Sequence, residues 1–243
     1  MSDPIPVAVV GCGRMGKLHA RVYSQMPNVK LVGIHDLDAD RAADVAEEYK
    51  TKPWTDLEEL ARNVAAITLA VPTNFHLTTA QPFLQKGIAC LIEKPLARDS
   101  TEGREIQSLA QKHNAIVQVG HIERFNPIIR SMSRLKISPR FMEVIRISPL
   151  TFRSIDVGVV LDVMIHDIDI VLMLARSPVA KIDAVGVSVI GQVEDVCNAR
   201  LTFENGCVAN LTASRLALKT ERKLRVFSPD AYVSLDYQKK YGI

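Results

Sequence analysis

Several short stretches of the chain hold residue types whose spacing can support chemistry. The first is Gly11-Cys12-Gly13-Arg14-Met15-Gly16, a G-x-G-x-x-G turn. It follows the apolar run Val7–Val10 and opens a helical pattern, the setting in which this spacing binds a dinucleotide. Gly11 permits the tight turn, Gly13 lets a pyrophosphate reach the backbone, and Gly16 lets the helix pack on the sheet. The helix start at Arg14 and Met15 would offer unpaired N–H groups to the phosphates. Asp36 ends the next expected strand, where a carboxylate binds ribose hydroxyls and repels a 2′-phosphate, so NAD is favoured over NADP. Arg41, close in sequence, pulls the other way. Asp36 could instead only begin the Asp36-Leu37-Asp38 turn.

The second set would face a substrate. Thr73, Asn74 and His76 follow an expected strand, at the sheet edge where ligands of open parallel sheets lie. They are placed to touch the cofactor, although His76 could merely satisfy a helix start. Glu93-Lys94-Pro95 ends another strand at that edge, and Pro95 keeps Lys94 out of helical geometry. A lysine there can hold a substrate hydroxyl and stabilise the alkoxide as hydride leaves; the plain alternative is a surface lysine paired with Glu93. Asp162 and His166 stand four apart in a helical pattern and so share a face. A carboxylate beside an imidazole fixes its tautomer and raises its basicity, as a general base needs. No second His or Cys stands at metal-ligand spacing, so no metal is expected. From His121 to Arg146 there are six Lys/Arg against two acids. That stretch is either a solvated face or a grip for phosphate, with Arg124 the leading candidate.

Strand ends must carry these residues. The first half alternates short β-rich runs (Val7–Val10, Lys30–His35, Ala66–Val71, Ala89–Glu93, Ile116–Gly120) with helical patterns, the signature of a parallel sheet wrapped by helices. Ser100 is read as the N-cap of the helix running to His113. The second half reads as one long helix, Val157–Ala175, followed by five antiparallel strands between Val179 and Asp236. An Asn205-Gly206 turn sits among them. The expected fold is α/β: a Rossmann domain over residues 1–121, then an α+β domain with an open, mainly antiparallel sheet over 122–243.

Composition narrows the function. The chain has 243 residues, 47% hydrophobic and 23% charged, with a net charge of +3. That is ordinary globular composition, and the small charge excess argues against bulk nucleic-acid binding. The four cysteines form no C-x-x-C pair, which fits free thiols in a reducing cytosol. No signal peptide is visible, and the apolar stretch Ile155–Ala175 carries too many charges to span a membrane. A cytoplasmic enzyme acting on a small molecule is expected.

Together these residues resemble the glucose–fructose oxidoreductase / inositol dehydrogenase / rhizopine catabolism (Gfo/Idh/MocA) family. The resemblance rests on Gly11–Gly16 leading into Lys17-Leu18-His19-Ala20, on Glu93-Lys94-Pro95, and on Asp162-x-x-x-His166-Asp167. It implies a nicotinamide cofactor, with Lys94 and His166 facing the substrate from different domains. Within the family, Gly120–Pro127 and Ser148–Arg153 resemble the UDP-N-acetylglucosamine 3-dehydrogenase branch, which oxidises the sugar 3-hydroxyl to a ketone. Arg124, Asn126 and Arg153 are thereby expected to bind substrate. A free sugar or inositol is the alternative substrate, and a non-catalytic NAD-sensing regulator the alternative class. A homodimer or homotetramer built through the second domain is expected. Family members usually run on longer, so the chain is expected to lack closing strands or a terminal helix.

Overall fold

β1 (Ile5–Val10) has its last four residues buried, as an inner strand of a parallel sheet requires. The computed structural model describes residues 3–132, 135, 137–150 and 157–243. After β1 come α1 (Arg14–Gln25), β2 (Val29–His35), α2 (Ala39–Glu48), β3 (Pro53–Trp54), α3 (Leu57–Ala61) and β4 (Ala66–Leu69). Then follow α4 (His76–Leu84), β5 (Ala89–Ile92), α5 (Ser100–Lys112) and β6 (Val117–Val119). The strands form one sheet in the order β3-β2-β1-β4-β5-β6, with every pair parallel. The order reverses between β1 and β4, so the crevice outside their carboxyl ends is the place for a ligand.

The remaining elements are α6 (Pro127–Met132), β7 (Phe141–Ile147), α7 (Ile165–Ala175), β8 (Val179–Val187), β9 (Val196–Phe203), β10 (Val208–Ser214), β11 (Glu221–Ser228), β12 (Ala231–Asp236) and β13 (Tyr241–Gly242). Their strands make a seven-stranded sheet in the order β13-β12-β11-β7-β10-β9-β8. The chain divides into two compact units, residues 1–120 and 121–243. Each has its own core. In the second, Met142, Val144, Leu211 and Leu224 from the sheet pack with Ile170 and Val171 of α7.

The architecture is as read from the sequence, with corrections in detail. Asp99, not Ser100, caps α5: its carboxylate accepts from the N–H groups of Thr101 and Glu102, because Asp99 stands one residue outside the first turn. The long helix is shorter than expected. Residues 160–164 form a π-helical turn and regular α-helix begins only at Ile165. β7 was not foreseen at all. It pairs parallel with β10 and antiparallel with β11, which makes the second sheet mixed. The Asn205-Gly206 turn does join β9 to β10, with Gly206 at φ 81°.

Candidate functional site

The glycine turn is built by steric exclusion. Gly11 has φ 97°, and a Cβ there would lie 2.6 Å from the Ala70 carbonyl carbon, so the β1 turn and the β4 turn touch backbone to backbone. A Cβ at Gly16 would collide with the Gly11 carbonyl oxygen at 1.7 Å, so α1 can start only this close without one. Gly13, by contrast, faces open space. It is the N-cap of α1, and no side chain caps that helix or places an acid in its first turn. Helices α2, α3 and α5 all carry an aspartate cap and acids in the first turn. The α1 terminus alone of these four keeps its N–H groups for an external anion.

Asp36 closes the other side. One carboxylate oxygen accepts from the Cys12 N–H at 2.6 Å and the other from the Asp38 N–H at 3.0 Å. Asp38, not Asp36, caps α2. Arg41 lies 3.5 Å from Asp36 and 2.8 Å from Asp38. Together the turn, Asp36 and the β4 turn enclose a cavity of about 860 Å³. Of the glycine turn and Asp36, the cavity is lined by Gly11, Gly13, Arg14, Met15 and Asp36 but not by Gly16, and Phe75 and Thr78, which the sequence did not single out, line it too. Cys12 sits beneath this loop, where burial and the nearby Asp36 charge push its thiol up to about 12. An uncapped helix start, a glycine open to the cavity and a fixed carboxylate fit the pyrophosphate and adenosine ribose of a dinucleotide.

The His76 ring is buried, with Nδ1 3.1 Å from the Leu96 carbonyl and Nε2 3.0 Å from the Val71 carbonyl. Both nitrogens lie within hydrogen-bond distance of main-chain carbonyls, so the ring ties two loops together. Thr73 and Asn74 form a short 3₁₀ turn before α4 and lie outside the lining of the cavity. Lys94 is half-buried just past β5, and its neighbour Glu93 is buried, with Oε1 2.9 Å from His19 Nε2. Glu93 is thus directed at α1 rather than displayed at the surface.

In the second unit, Asp162 lies in the π-helical turn and His166 in the first turn of α7. Such turns concentrate at functional sites. Two arginines grip the acids that follow. Arg146 donates from Nε and Nη2 to the two oxygens of Asp167 at 2.8 Å each, and its Nη1 lies 3.6 Å from Glu123. Arg124 donates to both oxygens of Asp169 at 2.7 and 2.5 Å. The Nε/Nη2 edge of Arg124 is thereby used on Asp169, a partner that the expectation of a phosphate grip did not include. Asn126 Oδ1 accepts from the Ile128 N–H at 3.2 Å, at the start of α6. Burial pushes the Asp167 carboxyl up, against the pull of Arg146. Arg153 lies outside the described residues, as do Arg134 and Lys136 of the basic stretch.

Comparison with known proteins decides the family. The model of the oxidoreductase family with an NAD-binding Rossmann fold matches residues 5–121, and the Gfo/Idh/MocA C-terminal domain matches residues 149–233. The chain belongs to the Gfo/Idh/MocA oxidoreductase family. The UDP-N-acetylglucosamine 3-dehydrogenase of Acidithiobacillus ferrooxidans is 36% identical over 230 residues, covering 94% of this chain and 73% of that protein. A solved structure of that dehydrogenase matches with a TM-score of 0.93 at 34% identity, over 99% of this chain and 80% of the other. An inositol 2-dehydrogenase of Corynebacterium glutamicum is 32% identical over 195 residues, covering 75% of this chain and 58% of that protein. GenD2 of gentamicin A biosynthesis, solved in complex with NAD, shares the fold with a TM-score of 0.85 at 24% identity, over 97% of this chain and 73% of the other. This Gfo/Idh/MocA chain is an NAD-binding oxidoreductase. Among its described residues no helix is long and apolar enough to cross a membrane.

Proposed function

We propose that this oxidoreductase converts the C3 hydroxyl of UDP-N-acetylglucosamine to the ketone, with NAD rather than NADP as hydride acceptor. The observation that carries the reading is the 36% identity to a UDP-N-acetylglucosamine 3-dehydrogenase along nearly the whole chain. Lys94 and the Asp162/His166 pair stand at the positions that the family resemblance assigns to substrate. Bound NAD would supply the hydride acceptor. The chain's own residues do the rest. The α1 terminus, with Gly13 and Arg14, holds the pyrophosphate, and Asp36 accepts from the ribose hydroxyls. Arg41, drawn toward Asp36 and Asp38, is occupied by carboxylates and so poorly placed to welcome a 2′-phosphate. Lys94 stabilises the alkoxide. His166, oriented by Asp162, takes the hydroxyl proton or passes it on; Lys94 taking it directly is the alternative.

A homo-oligomer accompanies this reading. On the sheet face away from α7, Phe141, Phe227 and Tyr232 stack in a row at 5.8 and 5.1 Å, and the latter two are exposed. An apolar face of this kind is seldom left in water. Light scattering at micromolar concentration checks it, and a monomer overturns it.

The function is tested by following NADH absorbance with UDP-N-acetylglucosamine, free N-acetylglucosamine and myo-inositol, and by trapping the ketone. Turnover of the nucleotide sugar with NAD supports the proposal. Preference for inositol moves the chain to the inositol dehydrogenases, and no turnover of any sugar with intact NAD binding favours a sensor.

A further inference from the structure

Glu93 is a carboxylate held at 8% exposure, immediately before the candidate active-site lysine. Burying such a group is costly unless it is paired and hydrogen-bonded. Its partner is His19, from the second turn of α1 and 74 residues earlier in the chain. Its other wall is Gly120. A Cβ there would lie 3.0 Å from the Glu93 carboxyl carbon and from both of its oxygens, so the carboxylate lies against the bare Cα of Gly120. The main chain fixes both ends of this contact. The Glu93 N–H donates to the Leu69 carbonyl at 3.0 Å, and the Gly120 N–H donates to the Ile92 carbonyl at 2.7 Å.

Three elements therefore meet on one carboxylate: α1, whose start faces the dinucleotide cavity; the end of β5, which carries Lys94; and the end of β6. A pair of this kind is a weak source of stability, since apolar side chains of similar volume would fill the space as well. What it does supply is position. A side chain held between a histidine and a bare Cα leaves its own backbone little freedom, and the next residue departs from that backbone.

We propose that His19 is a positioning residue for Lys94. Through Glu93, and against the missing side chain of Gly120, it fixes the lysine relative to the helix that holds the cofactor's phosphates. The proposal rests on the reading of Lys94 as the residue that meets the substrate.

The test uses His19→Ala, His19→Gln and Gly120→Ala in the full chain. In His19→Ala, kcat should fall about tenfold to a hundredfold, the cost of a misplacement on the order of an ångström. KM for the sugar and the NADH dissociation constant by fluorescence should stay near wild type, and the melting temperature should fall modestly because Glu93 loses its partner. His19→Gln keeps an N–H donor of similar reach and should restore most of the rate. Gly120→Ala should mimic His19→Ala by pushing the carboxylate from the opposite side. The double variant should lose less than the product of the two, because both act on one group. A lowered melting temperature with the rate spared, no rescue by glutamine, or strict additivity each overturns the proposal. If the wild-type chain oxidises no sugar, the functional reading falls but the proposal is still read. The rate at which an amine-reactive ester labels Lys94, followed by peptide mass spectrometry, should change in His19→Ala and return in His19→Gln. An unchanged rate overturns it.

Discussion

The surroundings of Lys94 and of His166 are built from different materials. In the first unit a single histidine contact and a glycine hold Glu93, and through it the lysine's backbone. In the second, two bidentate arginine pairs hold Asp167 and Asp169, one and three residues past His166. Arg146 and Asp167 are almost wholly buried, and the Tyr237 ring lies 5.5 Å from the guanidinium carbon. Removing His19 strands a carboxylate that keeps 10% of its side-chain surface in water, against 3% for Asp167. Breaking the bidentate pair costs more, because it leaves a more deeply buried partner ionised and unsolvated. The two candidate catalytic groups should therefore respond alike to their own replacement and differently to replacement of their supports.

The largest effect falls on the groups themselves. Lys94→Met or His166→Asn should lower kcat by about 10²–10⁴-fold, the range for a positioned acid–base group. NADH binding should survive both changes. Fluorescence titration beside steady-state rates checks this, and a lowered melting temperature with the rate intact in His166→Asn would make that histidine structural. Next comes the support in the second unit. Arg146→Met should destabilise the fold by about 3–5 kcal/mol, because Asp167 is left charged and buried. The pair Arg146→Met with Asp167→Leu should recover much of that loss. Urea titration reads both. If Arg146→Met costs no more stability than His19→Ala, the contrast between the two supports is broken.

That contrast also marks what a sequence shows. The parallel half was legible because its strands are short apolar runs closed by turn residues, and because the glycine spacing has a steric reason. β7 was not. Its core-facing positions are Met142, Val144 and Arg146, and the arginine makes the run look like part of a basic surface. Only Asp167, 21 residues later, turns that position into an interior one. The same long-range pairing hid the job of Arg124, whose partner Asp169 lies 45 residues away. The partners of His76 were hidden for a local reason: the sequence places it both at a ligand-facing edge and at a helix start, and the two carbonyls beside its nitrogens come from loops that only the fold brings together. The π-helical turn under Asp162 has no counterpart in a periodicity argument, because one extra residue per turn leaves the apolar pattern readable.

Cofactor choice is a smaller effect and concerns the first unit alone. Asp36→Ser removes the carboxylate that would face a 2′-phosphate and releases Arg41 from one of its two acids. The preference for NAD should narrow by about tenfold, the equivalent of about 1.4 kcal/mol. Calorimetric titration of both cofactors measures it. Tighter binding of NADP by the unmodified chain would remove Asp36 from the cofactor site, and with it one wall of the cavity as interpreted.

The smallest effect sharpens the comparison through pH. Asp195 is fully buried in the second unit and accepts from the N–H groups of Val189 and Ile190 at 2.8 Å, from that of Gly191 at 3.3 Å, and from Arg215 Nε at 2.7 Å. These donors hold its carboxyl well below the usual carboxylate range, the main-chain N–H groups contributing most. The folded state thus binds the proton more weakly than the unfolded chain does. The resulting stabilisation is fully present above the unfolded value of about 4 and is lost as pH falls toward the folded value. Asp195→Asn removes this dependence. The difference in melting temperature between wild type and Asp195→Asn should be constant from about pH 5 to neutrality and shrink below about pH 4. Asp195 immediately precedes β9, so hydrogen exchange in β8–β9 should rise more on acidification in wild type than in Asp195→Asn. A difference that stays constant down to pH 2, or an equal rise in the two proteins, would place the acid-sensitive carboxylates elsewhere.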